Sequence, residues 1–239
     1  MLKIHQLDLW FGPQHVLSLQ PQQFQQQDWV AILGASGSGK TSFLRSLLGL
    51  ATANARLISN ITWNDLPLSV HDIAYMAQQD CLLPWLTVLE NILLPIKLRG
   101  LKPDYAHAKQ LLSAVQLSHY AAAFPHQLSG GMRQRIALAR TLIENKPILL
   151  LDEPFTALDA LTRLALQNLL IELTADKLVI FVTHDPNEAI RIATKIYCLQ
   201  GQPSQLQQLL QLDTPLPRQH TDPTTMRYQA ELWQYMLRA

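Results

Sequence analysis

Eight consecutive residues from Gly34 to Thr41, GASGSGKT, place glycines, a lysine and a hydroxyl at the spacing GxxxxGK[ST]. Glycine lets the backbone turn its N–H groups inward around a β-phosphate, and a helix starting there adds positive potential. Lys40 then neutralises the β- and γ-phosphates, and the Thr41 hydroxyl holds a magnesium ion. The motif requires a strand before it and a helix after it. Trp29 to Leu33 is an unbroken apolar run suited to a doubly buried strand, and Phe43, Leu44, Leu47 and Leu48 follow at helical spacing. Alone, this loop indicates nucleotide binding and suits a kinase, a GTPase, a helicase or a DNA-repair ATPase equally well.

Further features narrow that field. LSGGMRQR, Leu128 to Arg135, offers a serine hydroxyl and free backbone N–H groups at a helix start, which can bind a terminal phosphate. ILLLDEP puts Asp152 at the end of an apolar run, and THDPNEA puts His184 after another. In these segments the chain resembles the ABC ATPase family, whose signature is usually LSGGQ. Met132 replaces the final glutamine, while Ser129, Gly130 and Gly131 are all present.

The resemblance covers nearly the whole chain, and it implies roles for individual residues. Gln78 matches the family's Q-loop, near the metal and the attacking water. Asp152 is expected to hold magnesium through water, and Glu153 to act as general base. Ala157, Leu158 and Asp159 match the D-loop that crosses a dimer interface, and His184 matches the switch histidine facing the γ-phosphate. Phe11, just before Gly12, stands where the family places an aromatic ring on adenine; Trp10 is the rival, and a core position is the alternative for both. The implied nucleotide contacts are therefore Phe11, the loop residues Gly34, Ser36, Gly37, Ser38, Gly39, Lys40, Thr41 and Ser42, and the signature residues Ser129, Gly130 and Gly131. Glu153, His184, Gln78 and Lys40 form the catalytic set, and Thr41, Gln78 and Asp152 the metal set. In the family, ATP with Mg2+ lies between two nucleotide domains, so the resemblance implies a second ATPase subunit, with a homodimer expected.

The segment after Gln78, QDCLLPWLTVLENILLPIKLRG, resembles the Q-loop continuation of importers for nitrate, sulfonates and taurine. It implies a transmembrane permease subunit as partner, a solute-binding protein acting indirectly, and a place on the inner face of the cell membrane. Trp85 is a candidate for the docking groove, with a core position as the alternative. The solute itself stays open among thiamine precursors, phosphonates, nitrate and sulfonates. The rival readings are a soluble ABC ATPase acting on nucleic acid or ribosomes and a phosphotransferase. Against the first stand the short chain and the lack of a sustained heptad or basic patch; against the second stand LSGG, DEP and His184 together.

The elements that must position these groups form an α/β pattern: a mainly parallel core sheet, an antiparallel β region near the N-terminus and a helical subdomain. Leu2, Ile4, Leu7 and Leu9 and then Val16, Leu17 and Leu19 read as strands on either side of a Gly-Pro turn, and residues 56–76 as further short strands. From Thr87 the pattern turns helical: Thr87 and Glu90 have capping-box spacing, and Pro103 is expected to open a second helix. Ile148 to Leu151 and Leu178 to Val182 read as buried strands on either side of a helix from Leu161 to Leu173. Leu206 to Leu210 and Tyr228 to Leu237 read as amphipathic helices. The expected organisation is one ABC ATPase domain over 1–239, with a helical subdomain at 87–145 and a short C-terminal helical tail at 203–239.

Composition limits the alternatives. The chain has 239 residues and 48% hydrophobic content, enough for one large core. A net charge of +1 gives no broad basic footprint, so no nucleic-acid partner is expected. Lys3, His5 and Asp8 interrupt the first residues, unlike a signal peptide, and no apolar run approaches the roughly 20 residues needed to span a bilayer. A cytoplasmic protein reaching the membrane through a partner is expected. Cys81 and Cys198 lack neighbours at ligand spacing and read as buried thiols. The glutamine-rich stretches near 20–27 and 200–211 read as polar surface.

Overall fold

The computed structural model of the protein describes residues 1–50 and 54–238. The N-terminal part supplies β1 (Leu2–Phe11), β2 (Gln14–Leu19), β3 (Gln22–Phe24), β4 (Trp29–Leu33), α1 (Lys40–Leu47), β5 (Ala55–Trp63), β6 (Leu66–Pro67) and β7 (Ile73–Met76). Helices α2 (Val88–Leu98), α3 (Tyr105–Ala114) and α4 (Gly130–Leu142) follow. The chain then alternates through β8 (Ile148–Asp152), α5 (Ala160–Leu173), β9 (Leu178–Val182), α6 (Pro186–Ile192), β10 (Lys195–Gly201) and β11 (Ser204–Gln211), and ends in α7 (Pro223–Arg238).

A single mixed sheet runs in the order β6-β5-β1-β2-β11-β10-β4-β9-β8-β7, with β3 pairing β1 off this path. Its β10-β4-β9-β8-β7 portion is parallel, and the β6-β5-β1-β2 portion is antiparallel. The expected mainly parallel core with an antiparallel N-terminal region is therefore present. Strands β4, β8 and β9 are buried at every position. Their side chains alternate between two cores: Trp29, Ala31 and Leu33 face one, and Val30 and Ile32 face the other. Burial on both faces explains the continuous apolar runs, since neither face meets water.

One row of paired residues crosses the parallel portion: Met76 opposite Leu151, Leu151 opposite Phe181, Phe181 opposite Ala31. Gln78, Glu153, His184 and Gly34 each follow that row by two or three residues, so register brings them to one edge of the sheet.

Several local expectations are corrected. Ser204 to Gln211 is a strand, not a helix, so the stretch 203–239 contains β11 and the helix begins only at Pro223. Ile196 pairs with Leu210 but Tyr197 pairs with Gln208, leaving Leu209 as an extra residue in a β-bulge. Leu206 packs in one core and Leu210 in the other, so the bulge swaps the inward face and breaks the alternation by two that marks a strand. Pro103 does not open a helix: Asp104 is the N-cap of α3 and accepts from the His107 N–H at 2.9 Å. Cys81 is exposed, while Cys198 is buried. Thr87 and Glu90 do close the capping box that starts α2.

Arg218 secures the segment between β11 and α7. It is almost fully buried, and its guanidinium donates to the carbonyls of Ile190 (2.8 Å), Ala193 (2.7 Å), Leu212 (3.1 Å) and Thr214 (2.8 Å). The bonds to Ile190 and Ala193 satisfy carbonyls at the C-terminal end of α6, groups that otherwise lack helical partners. Helix α7 then buries Leu232 in the core.

Candidate functional site

The glycine loop lies between β4 and α1, as its motif requires. Gly34 has φ +154°, and a Cβ there would stand 2.7 Å from the Leu199 carbonyl of β10 and 2.7 Å from Ser38 Oγ, so only glycine fits. Gly39, at φ 94°, is the N-cap of α1. The Lys40 ammonium, nearly buried, donates to the Gly34 and Ala35 carbonyls at 2.8 Å each, drawing the loop into a ring around it. Burial pulls Lys40 below the ordinary lysine range, opposed by the charges of Glu153 and Asp152. The Ser38 hydroxyl is buried without a protein partner.

A cavity of about 440 Å³ brings Ser36, Gly37, Lys40, Thr41 and Ser42 together with Gln78, Glu153 and His184. These residues come from four segments that the parallel strands deliver to one edge. Asp152 lies beneath, fully buried at the end of β8, with the Tyr75 hydroxyl donating to it at 3.4 Å. Burial pushes its carboxyl above the ordinary aspartate range; hydrogen bonding from Thr41 opposes this, and the Glu153 charge adds to it. A buried carboxylate beside a threonine hydroxyl and facing an anion-binding loop suits a divalent cation, whose charge would offset that burial. Among the described residues no cluster of three or more His, Cys, Asp or Glu side chains forms a metal site. The donor set is instead a carboxylate, a hydroxyl and an amide, the oxygen chemistry that magnesium takes when it keeps several waters.

Glu153 carries its side chain toward His184, with Oε2 3.6 Å from Nδ1 and 3.2 Å from Thr156 Oγ1. Its φ of +50° is unusual for a residue with a side chain. The His184 loop is tied from below: Thr183 Oγ1 donates to the buried Glu188 at 2.6 Å and accepts from the Asp185 N–H at 3.0 Å. His184 itself is exposed.

The signature residues lie elsewhere. Ser129 caps α4 by accepting from the Met132 N–H at 3.3 Å; Ser129 and Gly130 are exposed, and neither they nor Gly131 line the Lys40 cavity. Gly130 instead shares a neighbouring cavity with Gln78 and Gln134. A Cβ on Gly131 would lie 3.0 Å from the Ala157 carbonyl, so the start of α4 sits hard against the D-loop.

A second cavity of about 530 Å³ adjoins the glycine loop and shares Ser36 and Gly37 with the first. It is lined by Gln14, His15, Val16 and Cys198, and by Met236 from α7. Neither Phe11 nor Trp10 lines it. Phe11 packs against the core and pairs with Gln14, while Trp10 stacks on His15 at 4.4 Å with Arg56 over its ring at 5.3 Å. Trp10 pairs with His15 and Leu9 with Leu17, so Val16 is a bulged extra residue. A bulge re-aims side chains, and no short pattern in the sequence singled out His15, Val16 or Met236. Gln134 was missed as well, although it lies within the quoted LSGGMRQR.

Trp85 is 69% exposed, which excludes the core alternative. The buried Asn91 holds its loop outward: Oδ1 accepts from the Leu83 N–H at 2.8 Å, and Nδ2 donates to the carbonyls of Leu83, Leu86 and Thr87 at 3.0 to 3.1 Å. Among the described residues no helix is long and apolar enough to cross a membrane.

Residues 21–156 match the family described as ABC transporter. The aliphatic sulfonates import ATP-binding protein SsuB 2 of Rhizobium johnstonii is 42% identical over 86% of this chain and 78% of its own length. The taurine import ATP-binding protein TauB of the same organism is 37% identical over 89% and 84%. A solved dimeric structure of the ATP-binding cassette MJ0796, in a post-hydrolysis state bound to ADP and Pi, superposes with a TM-score of 0.77 at 30% identity, covering 90% of this chain and all of that one.

Proposed function

Because the chain belongs to the ABC transporter ATP-binding family, we propose that it is the ATP-hydrolysing subunit of a membrane importer and works as a dimer with ATP held between two copies. That it is an ATPase follows from the family. The observation that carries the further reading is the single cavity where Lys40, Thr41, Gln78, Glu153 and His184 converge, while Ser129–Gly131 stand outside it. A phosphate-binding helix start that its own chain leaves exposed is matched by the phosphate of a second copy. The cassette MJ0796, similar in fold, is itself a dimer bound to ADP and Pi, which supports a dimeric reading.

In this mechanism the loop N–H groups and Lys40 hold the β- and γ-phosphates. Glu153 accepts a proton from the attacking water, and His184, 3.6 Å from that carboxylate, donates toward the γ-phosphate oxygens. Thr41, Gln78 and Asp152 would hold Mg2+, which supplies charge neutralisation at the β- and γ-phosphates. Ser129, Gly130 and Gly131 of the second copy close over the terminal phosphate.

The relatives named for taurine and aliphatic sulfonate import favour a small organic sulfonate as the solute. A permease subunit would dock on the loop that exposes Trp85, placing the protein on the inner face of the membrane. A solute-binding protein would take part only through that permease.

The test is ATP hydrolysis by the purified chain as a function of its own concentration. Turnover per subunit is expected to rise with concentration and then saturate; a rate per subunit that stays constant from the most dilute sample upward contradicts the shared-site reading.

At the base end of the site Phe11 remains the proposed stacking ring on the family resemblance, and His15, which lines the cavity beside the glycine loop where Phe11 does not, is its competitor. Base stacking on an aromatic ring is worth about 1–3 kcal/mol. Phe11→Ala should therefore weaken ATP binding roughly tenfold while leaving tripolyphosphate, which has no base, unaffected. Unchanged ATP affinity in Phe11→Ala together with a loss in His15→Ala would move the stacking role to His15.

A further inference from the structure

Helix α4 starts at the signature residues and, about one turn later, buries Gln134. The amide of Gln134 makes two hydrogen bonds, both to the backbone of the segment after β8. Its Nε2 donates to the Glu153 carbonyl at 3.0 Å, and its Oε1 accepts from the Ala157 N–H at 2.9 Å. Gly131, on the same helix start, approaches the Ala157 carbonyl so closely that no Cβ fits without a shift. The start of α4 thus grips the 153–157 segment at both ends.

That grip matters because of the backbone it holds. Glu153 sits at φ +50°, a conformation that persists only where surroundings fix it. Its N–H donates to the Val182 carbonyl at 3.1 Å, and its own carbonyl receives Gln134 at 3.0 Å and the Thr156 hydroxyl at 3.3 Å. Remove Gln134, and the peptide after Glu153 keeps only the exposed hydroxyl of a neighbour. The carboxylate is then no longer held in its place beside His184.

We propose that Gln134 is the positioning residue for Glu153, and that through it the signature helix sets the carboxylate of its own chain. The inference rests on the reading above, with Glu153 as base and each copy's Ser129–Gly131 on the other copy's nucleotide. When those residues close on the phosphate held by the second copy, the shift of α4 passes through one amide to Glu153 and to Ala157. Engagement at one nucleotide thereby arms the base at the other. An amide serves where an aliphatic side chain cannot, since one end must donate to a carbonyl and the other accept from an N–H.

Three variants test this, each measured for kcat, KM, equilibrium ATP binding and thermal midpoint. Gln134→Leu removes both bonds, and Gln134→Glu keeps the acceptor for Ala157 but loses the donor to Glu153. A displacement of about 1 Å at a reacting group can lower a rate about 100-fold, so both should lose roughly 10- to 100-fold in kcat with KM and ATP affinity little changed. If Gln134→Leu fails to fold, the nearly isosteric Gln134→Glu carries the test. Combining Gln134→Leu, or Gln134→Glu in its place, with Ser129→Ala should lower kcat by less than the product of the single effects, the mark of coupled groups. Unchanged kcat in the Gln134 variants, a loss confined to KM, or effects that multiply fully would overturn the inference. Glu153→Gln, assayed alongside, separates the two levels. If it remains active, the base assignment itself fails; if it is inactive while the Gln134 variants are normal, only the positioning role is rejected.

Discussion

Glu153→Gln lowers ATP hydrolysis by about 10²- to 10⁴-fold, the contribution typical of a positioned general base, and leaves ATP binding intact. The substitution is nearly isosteric, so the backbone bonds of residue 153 to Val182 and Gln134 persist, and the amide can still meet the Thr156 hydroxyl. What disappears is the acceptor for the water's proton. The phosphate contacts come from the glycine loop and Lys40, a different segment, and are expected to hold. Phosphate release at saturating ATP, measured beside equilibrium binding on the same preparation, decides the matter. Turnover at the parent rate removes Glu153 from the base role. Loss of both binding and turnover with a lowered thermal midpoint points to damage to the fold instead.

Gly34→Ala should weaken ATP binding about 100-fold or more, by adding the strain of a backbone conformation that side chains rarely adopt, worth about 1–3 kcal/mol, to a collision with a fixed carbonyl. The new methyl would stand 2.7 Å from the carbonyl of Leu199, a β10 residue held in register with Leu206 of β11. The loop must give instead, and with it the Gly34 carbonyl that Lys40 uses as an anchor. Gly37 supplies the comparison: it too has a positive φ, 81°, but no atom lies within 4 Å of its Cβ position. Gly37→Ala should therefore lose less affinity than Gly34→Ala in a direct titration with ATP. The reverse order would show that close approach to β10 is not what Gly34 provides.

Much of the site was legible in the sequence because its chemistry sits in short contiguous motifs at strand ends. The glycine loop, Asp152–Glu153 and His184 each come at the end of an apolar run; the loop, Glu153 and His184 line one cavity, with Asp152 buried beneath it. The base end was less legible. His15 and Val16 reach their cavity through a bulge, and Met236 through a helix more than two hundred residues along the chain. The β11 bulge likewise hid a strand, because one extra residue breaks the alternation by two and sends Leu206 and Leu210 to different cores. Gln134 was hidden differently: its importance lies in two backbone partners, and backbone partners leave no trace in residue types.

The single row of paired residues across the sheet has a bearing on how such a chain can vary. Adding one residue inside β4, β8 or β9 would exchange the side chains facing the two cores and also rotate the group that follows the strand out of line with its neighbours. Strand length is therefore under two locks at once, one of packing and one of chemistry. The stretch from the Trp85 loop through α3 carries neither that register nor a phosphate contact, so descent can restyle it to suit a new partner, while Gln78 before it and α4 after it stay tied to the edge that meets the phosphates.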